Sequence, residues 1–337
     1  MKVLQNSSLK SYNSFGIDVK AERFVSISSL DELKSVLKAN YAEELFVLGG
    51  GSNMLLTRDL TATVLHINLK GIKLSQETED FVYVQANAGE NWHEVVLWTL
   101  AHDFGGLENL SLIPGNIGSS PIQNIGAYGV ELKDHFVSCE AIDIQTLEMR
   151  SFTSEECNFG YRNSIFKNEL KGRFIITSVT FKLSKKNHLL YTNYGSINEA
   201  LKEKGITNPS IQDVSDAVIM IRQQKLPDPK ELGNSGSFFK NPIISAEAFL
   251  ELLKEYPEMP HYKISGNEFK IPAGWLIDRS GFKGFREGDA GVHKNQALVL
   301  VNYGNATGSD ILKLAQKIQK KIQNQFKIEL EMEVNIF

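Results

Sequence analysis

The sequence predicts an α+β protein of more than one domain. Its 337 residues exceed the roughly 250–300 at which a single hydrophobic core stops growing. Helix-like and strand-like periodicities alternate through the first third of the chain. Between Lys225 and Pro242, two prolines at 227 and 229 and a glycine-serine turn interrupt the pattern before a second amphipathic region begins.

Taken in order, Arg23–Ile27 reads as a strand, followed by a helix opened by the capping box Ser29-x-x-Glu32. The apolar strand Glu44–Leu48 runs directly into Gly49-Gly50-Gly51-Ser52-Asn53. Strands follow around Val64–Ile67 and Val82–Ala86, and Trp92, Val95, Val96 and Leu100 share one face of a helix. From 137 to 183 the pattern is mostly strand, with Ile175, Thr177, Val179, Phe181 and Leu183 alternating, until Ser184-Lys185-Lys186-Asn187-His188 relaxes it. Val214–Ile221 is helical. Ile311, Leu314, Ile318, Ile322 and Phe326 line one face of a late helix, and 328–336 reads as a closing strand. The expected organisation is a first domain over 1–185, with lobes of about 1–70 and 71–185, a connection over 186–212, and a second domain over 213–337.

Composition excludes several functions. Thirty-six basic and forty acidic residues leave a formal charge of −4 with no arginine-rich block, so no electrostatic footprint for nucleic acid is expected. No run of about eighteen apolar residues occurs, and the N-terminal stretch lacks an apolar signal core, so neither a membrane span nor export is expected. The chain is read as a cytoplasmic monomer. Cys139 and Cys157, on a strand and a short helix, suit ordinary buried thiols rather than a disulfide or a metal site. His93-Glu94 lacks the second histidine four residues on that a metalloprotease helix needs, and no metal is expected.

Two glycine-rich runs carry the chemistry. Gly49–Asn53 frees backbone N–H groups to converge, which suits a pyrophosphate nest or, equally, a hairpin turn. It is not a dinucleotide fingerprint, because Met54 stands where the third glycine belongs. The run from Pro114 to Gly129 is almost devoid of charge: Pro114, Gly115, Gly118, Ser119, Ser120, Gln123, Asn124, Gly126, Ala127, Tyr128 and Gly129 offer small side chains, hydroxyls and amides. A loop of that length and composition suits backbone pressed against a flat ligand.

These runs resemble the flavin-binding motifs of the UDP-N-acetylenolpyruvoylglucosamine reductase family, which completes UDP-N-acetylmuramate in bacterial cell-wall synthesis. The resemblance continues in order through Phe159–Lys167, Lys225–Lys230, Gly236–Pro242, Ala273–Asp278 and Leu330–Val334, essentially the whole chain. Tyr191–Gly195 resembles the tyrosine-bearing loop of the longer of the family's two types. The resemblance implies a vanillyl-alcohol-oxidase/PCMH-type FAD-binding domain followed by a smaller α+β C-terminal substrate domain, with FAD as cofactor, NADPH as hydride donor and a small-molecule nucleotide-sugar as substrate.

The implied reaction adds a hydride and a proton across an enol ether, through a carbanion whose charge spreads into a neighbouring carboxylate. Such a site needs a fixed cation and a proton source. By resemblance Arg162 supplies the cation, and its planar fork suits bidentate grip of a carboxylate. Ser237 is implied as proton donor to carbon. The residues alone do not separate it from Ser235, and turn-forming hydrogen bonds suit either. Glu333 is implied as the third catalytic residue; Glu329, Glu331 and Glu333 recur with period two and so share a face, and the competing reading is a solvated polar strand face. Asn335 departs from the arginine common in the family. Tyr194, Lys225 and Asn241 are implied to hold the substrate's diphosphate and sugar. The rival expectations are a flavin oxidase or dehydrogenase of related fold acting on a sugar or alcohol, and a nucleotide-sugar binding module without catalysis.

Overall fold

In the computed structural model, which describes residues 2–39 and 44–337, the chain forms two compact units. The first comprises residues 1–7, 21–50 and 60–223; the second comprises 8–20, 51–59 and 224–337. The expected boundary at 212/213 therefore moves to 223/224, and two short early segments join the C-terminal unit.

The first unit contains two sheets. In one, the strand order is Val3–Ser8, Lys20–Ile27, Leu60–Ile67, Leu45–Leu48, with the last two contacts parallel. Helix α1 (Leu30–Ala39) lies between strands 20–27 and 45–48 in sequence, as a parallel crossover requires. Its cap is built as the sequence predicts at one end: Ser29 Oγ accepts from Glu32 N, while the Glu32 carboxylate accepts from the Ser28 N–H and hydroxyl. Leu33, Val36 and Leu37 bury the apolar face against Val25, Ile27, Leu65 and Ile67.

The second sheet is antiparallel, in the order Met149–Thr153, Phe136–Asp143, Phe174–Ser184, Phe81–Asn87, Ile72–Glu77. Its central strand, 174–184, is buried at seven of eleven positions, including all five of the expected alternating residues and two of those between them, so both faces are partly covered. Helix α2 (Trp92–Ala101) packs on it through Trp92, Val95, Val96 and Leu100, the face the sequence predicts. Burying each such side chain is worth about 1.5–3 kcal/mol. Cys139 and Cys157 are both buried free thiols; Cys157 lies in a turn rather than a short helix. Helices α3 (Ile197–Glu203) and α4 (Ile211–Lys225) pair through Ile197, Leu201, Val214, Val218 and Ile221. This pairing holds α4 in the first unit and moves the boundary.

The second unit contains a four-stranded sheet, Gly233–Ser237, Val299–Asn302, Ala290–Val292, Arg286–Glu287, and a three-stranded one, Ile243–Ser245, Glu268–Lys270, Tyr262–Lys263. Helices α5 (Ala246–Glu255), α6 (Ala273–Arg279) and α7 (Gly308–Phe326) complete it. Ile311, Leu314, Ile318, Ile322 and Phe326 form the buried face of α7 as expected. The expected closing strand over 328–336 is corrected: only Asn335–Ile336 pairs as a strand, parallel to Met54–Leu55, and Met332 bridges Phe239. The segment before it is extended and held by single bonds, such as Gln319 Nε2 to Leu330 O at 2.7 Å. No helix among the described residues is long and apolar enough to cross a membrane.

Candidate active site

The two glycine runs meet within the first unit. A Cβ placed on Gly50 would lie 2.8 Å from Gly115 Cα and from Asn116 Oδ1, whereas one on Gly49 meets nothing nearer than Ser119 Cβ at 4.0 Å. Only backbone fits between Gly50 and Gly115. Among the described residues the N–H groups of Gly50, Gly115 and Asn116 have no hydrogen-bond partner. Unpaired donors on closely approaching backbone are what a phosphate-holding concavity requires. Gly51, Ser52 and Asn53 continue the run into the second unit, where Asn53 Nδ2 donates to Glu333 O and Asn53 O accepts from Asn335 Nδ2. Because the strands flanking the run, 45–48 and 54–55, belong to different sheets, it is not a hairpin.

The Pro114–Gly129 run is a fixed track. Trp92 N donates to Gly115 O and Gly118 N to Ala88 O, at 2.9 and 3.0 Å, fastening the run to the antiparallel sheet and its helix. Ile117–Ser119 closes one tight turn, and Gly126–Ala127 pairs with Val130–Glu131 in a hairpin tipped by Tyr128-Gly129. Ser119 and Ser120 turn their hydroxyls inward to Asn116 O and Ile117 O, at 2.8 and 2.7 Å. Gln123 is half-buried, and Pro114 is exposed. Asn124 is wholly buried, in the left-handed conformation; its amide bonds Glu131, Gly160 O and Lys133 N. Ser120 and Asn124 thus shape the run from behind.

Arg162 is brought to this run. It sits at φ 53° in a turn closed by Gly160 and Asn163, a conformation an arginine adopts only when its surroundings impose it. Three bonds impose it: Arg162 Nη2 to Gly126 O at 2.8 Å, Asn124 Nδ2 to Gly160 O at 3.1 Å, and Ser164 Oγ to Ile122 O at 2.7 Å. Tyr194 also reaches the run, its Cβ 3.2 Å from where a Gly129 side chain would begin, and it is 56% exposed rather than part of a core. Burial foremost, and then Tyr194, push the Tyr128 hydroxyl above its ordinary value, while Arg222 pulls it down.

Ser237 and Glu333 are neighbours in the second unit. Glu333 N donates to Phe238 O at 2.9 Å, and Lys240 N to Glu331 O at 2.9 Å, laying the last segment against Ser237–Lys240. Phe238 and Phe239, both fully buried, anchor that stretch. The two serines now separate: Ser235 is buried, in contact with Ser14 Oγ at 3.2 Å and Met54 O at 3.4 Å, whereas no hydrogen bond among the described residues engages the half-exposed Ser237 hydroxyl. Glu329 and Glu331 are exposed. Asn241 Oδ1 accepts from Ala273 N at the start of α6, and Lys225 is the exposed last residue of α4.

Arg222, three residues before Lys225 on α4, lay outside the sequence reading. Its Nε is shielded from solvent without a hydrogen bond, and it interacts electrostatically with Tyr128 and Arg162. The signal lay in the spacing: Arg222 follows Ile221, whose side chain is core, so the arginine begins at the edge of the buried face.

A curated protein of Flavobacterium johnsoniae named UDP-N-acetylenolpyruvoylglucosamine reductase is 60% identical to this chain over 336 residues, covering 100% of each. The chain belongs to the UDP-N-acetylenolpyruvoylglucosamine reductase family. A member from Pseudomonas fluorescens is 50% identical over 337 residues, 99% of each chain. The family's C-terminal domain model matches residues 228–337, and an FAD binding domain model matches 21–147. In fold, the chain resembles the crystal structure of the Thermus caldophilus reductase of the same name, at a TM-score of 0.67 and 24% identity over 100% of this chain and 98% of that one. It also resembles p-cresol methylhydroxylase, at 0.50 and 10% over 98% and 84%. Membership makes the chain an FAD-dependent oxidoreductase, with the flavin-binding and C-terminal domains in the order expected from its motifs.

Proposed function

We propose that this chain reduces UDP-N-acetylglucosamine enolpyruvate to UDP-N-acetylmuramate for peptidoglycan precursor synthesis, with NADPH as hydride source, and that Arg162, Ser237 and Glu333 carry out the protein's part of the chemistry. The observation that carries this reading is the bond from Arg162 to Gly126 O, which fixes a permanent cation on the run suited to the flavin. The residues present fit FAD: Gly50, Gly115 and Asn116 offer backbone donors to its diphosphate. The uncharged surface of Gly118–Gly129 suits a flat ring system. Bound there, FAD would supply the two-electron carrier between NADPH and the substrate's methylene carbon.

The chain's side chains do the rest. Arg162 carries five N–H donors in a planar fork, a geometry suited to hold the substrate carboxylate and to stabilise the charge that flows into it as hydride arrives. Ser237, its hydroxyl uncommitted, protonates the adjacent carbanion. Glu333, held beside Ser237 by the Phe238 pairing, donates to the same intermediate. Tyr194, Lys225 and Asn241 hold the sugar and diphosphate. The first unit is the cofactor domain and the second the substrate domain; the protein acts as a cytoplasmic monomer.

The test separates the two half-reactions anaerobically. Arg162→Ala, Ser237→Ala and Glu333→Ala should each leave bleaching by NADPH nearly intact and slow reoxidation by substrate by about two or more orders of magnitude. Equal slowing of both halves in the Ser237 variant would refute its role as proton donor.

A further inference from the structure

Asn109 is a buried amide whose two ends are treated unequally. Only 1% of the residue is exposed, and its Nδ2 donates to two backbone carbonyls, Tyr128 O at 3.0 Å and Tyr191 O at 2.7 Å. Both Nδ2 hydrogens are thereby spent. The Oδ1 atom is shielded from solvent and has no hydrogen-bond partner among the described residues. A buried acceptor left without a donor destabilises the fold, and an aliphatic residue would avoid that. What the amide contributes here is its pair of donors. They are aimed from a fixed platform, the tight turn Glu108–Leu110, whose Leu110 O accepts from Trp92 Nε1 at 2.8 Å.

The two carbonyls belong to segments far apart in sequence. Tyr128 and Gly129 form the tip of the Gly126–Glu131 hairpin, at the end of the run suited to the flavin. Tyr191 opens the stretch that carries Tyr194. A Cβ on Gly129 would lie 3.2 Å from Tyr194 Cβ, and one on Gly195 would lie 3.8 Å from Tyr128 Cδ1. Each Tyr-Gly pair thus lays its tyrosine on the other's glycine. Little else fastens the later pair. Leu190 packs on the buried clusters of the antiparallel sheet and of α3–α4, and Asn193 is tied onward, to Asn198 of α3 at 3.0 Å. Among the described residues no backbone N–H from Leu189 to Tyr194 donates a hydrogen bond, so the stretch has neither ladder nor helix to hold it. Leu189, Tyr191 and Tyr194 are exposed. The bond from Asn109 to Tyr191 O is what ties this stretch to the hairpin.

We propose that Asn109 is a positioning residue for the nucleotide-sugar substrate: its amide clamps the Tyr191–Gly195 stretch to the Tyr128–Gly129 tip and so holds Tyr194 in place before substrate arrives. The proposal rests on the substrate role given to Tyr194 above. Asn109, buried behind the two carbonyls, acts through that tyrosine. A tyrosine already placed loses little freedom on binding, whereas a loose stretch must first be ordered, and that ordering lowers affinity. Once substrate is bound the stretch is ordered in either case. Asn109 therefore acts on the substrate concentration needed rather than on the limiting rate of reoxidation.

The experiment uses the full chain loaded with FAD, reduced and then reoxidised in anaerobic stopped-flow. Asn109→Leu keeps the size of the side chain without its donors, and Asn109→Ser reaches at most one of the two carbonyls. Asn109→Leu should raise the half-saturating concentration of UDP-N-acetylglucosamine enolpyruvate about tenfold, with the limiting rate within about twofold of the parent. Asn109→Ser should fall between. Tyr194→Phe should raise the same concentration about tenfold in the parent protein but less than about twofold in the Asn109→Leu background, because clamp and hydroxyl act as one unit. Chymotrypsin should cut substrate-free Asn109→Leu after Tyr191 or Tyr194 several-fold faster than the parent. Effects of the two substitutions that simply multiply, unchanged cleavage, or an unchanged half-saturating concentration each overturn the proposal. So does loss of flavin from both Asn109 variants, which assigns the residue to the fold. Tyr194→Phe matching the parent would remove the role given to Tyr194 above, and the reason for the clamp with it. Failure of the parent protein itself to be reoxidised by this substrate would instead remove the function proposed above.

Discussion

Replacing Gly50 by alanine tests the cofactor cradle with a single methyl group. The added Cβ would lie 2.8 Å from Gly115 Cα and 3.0 Å from Gly115 C, and backbone atoms cannot swing aside as a side chain can. Overpacking of this kind costs about 1–3 kcal/mol. Without cofactor, the two segments can relieve the clash by parting slightly. A ligand bonded to the N–H groups of both Gly50 and Gly115 prevents that relief, so the strain appears in flavin binding. At about 1.4 kcal/mol per tenfold, affinity should fall roughly five- to 150-fold. Flavin affinity is read from fluorescence on titrating apoprotein, alongside the melting temperature without flavin. Gly49→Ala is the control, because its Cβ meets nothing closer than 4.0 Å. Gly118→Ala contrasts with both: its Cβ would sit 2.6 Å from Ala88 Cβ, inside the sheet-facing side of the run, so it should lower the melting temperature of the apoprotein itself. Gly50→Ala binding flavin like the parent, or Gly49→Ala losing as much affinity, would refute the cradle.

Other expectations follow from the same geometry. Arg162→Lys should slow reoxidation by substrate about tenfold or more, because one ammonium cannot bond Gly126 O and present a planar fork to a carboxylate; rates from single-turnover traces decide it. Ser235→Ala should lower the melting temperature modestly with little change in the substrate half-reaction, the reverse of Ser237→Ala, since Ser235 is tied to Ser14 and Met54. Glu108 gives a pH test. Burial foremost raises its carboxyl above the ordinary 4.5, against the lowering pull of the Gly106 N–H and of His188. The folded value is the higher one, so the stability contributed by the neutral acid is full below about 4.5 and is lost as pH rises through the folded value. Glu108→Gln should therefore match the parent melting temperature at low pH and exceed it at neutral pH; a constant difference across that range would contradict the reasoning.

Much of this was legible in the sequence where the information is local. The faces of α2 and α7 follow from 3.6-residue spacing, and the near absence of charge in the Pro114–Gly129 run marks it as a stretch pressed against something other than water, whether ligand or protein. What escaped depends on distant partners. Residues 8–20 and 51–59 join the second unit through close backbone approach. A Cβ on Gly51 would fall 1.9 Å from Tyr12 O, and one on Gly233 2.2 Å from Phe15 O. A glycine in a sequence does not name the carbonyl it must admit. The last segment alternates like a strand, yet its partners are single stretches from separate parts of the unit, so only Asn335–Ile336 forms a ladder. Ser237 and Ser235 are two residues apart in similar sequence, and only the bonds engaging Ser235 distinguish them. Arg222 was hidden because a helix-terminal arginine looks like a solvated one until its neighbours are known.

The central claim is that flavin held by this chain passes electrons from NADPH to an enolpyruvyl nucleotide-sugar. It is tested most directly by the absorbance spectrum of the purified protein under anaerobic conditions. The account predicts a flavin spectrum that one equivalent of NADPH bleaches and that UDP-N-acetylglucosamine enolpyruvate restores, with UDP-N-acetylmuramate formed. A bleached flavin that this substrate leaves reduced, while oxygen restores it rapidly alongside oxidation of a sugar or alcohol, would contradict it.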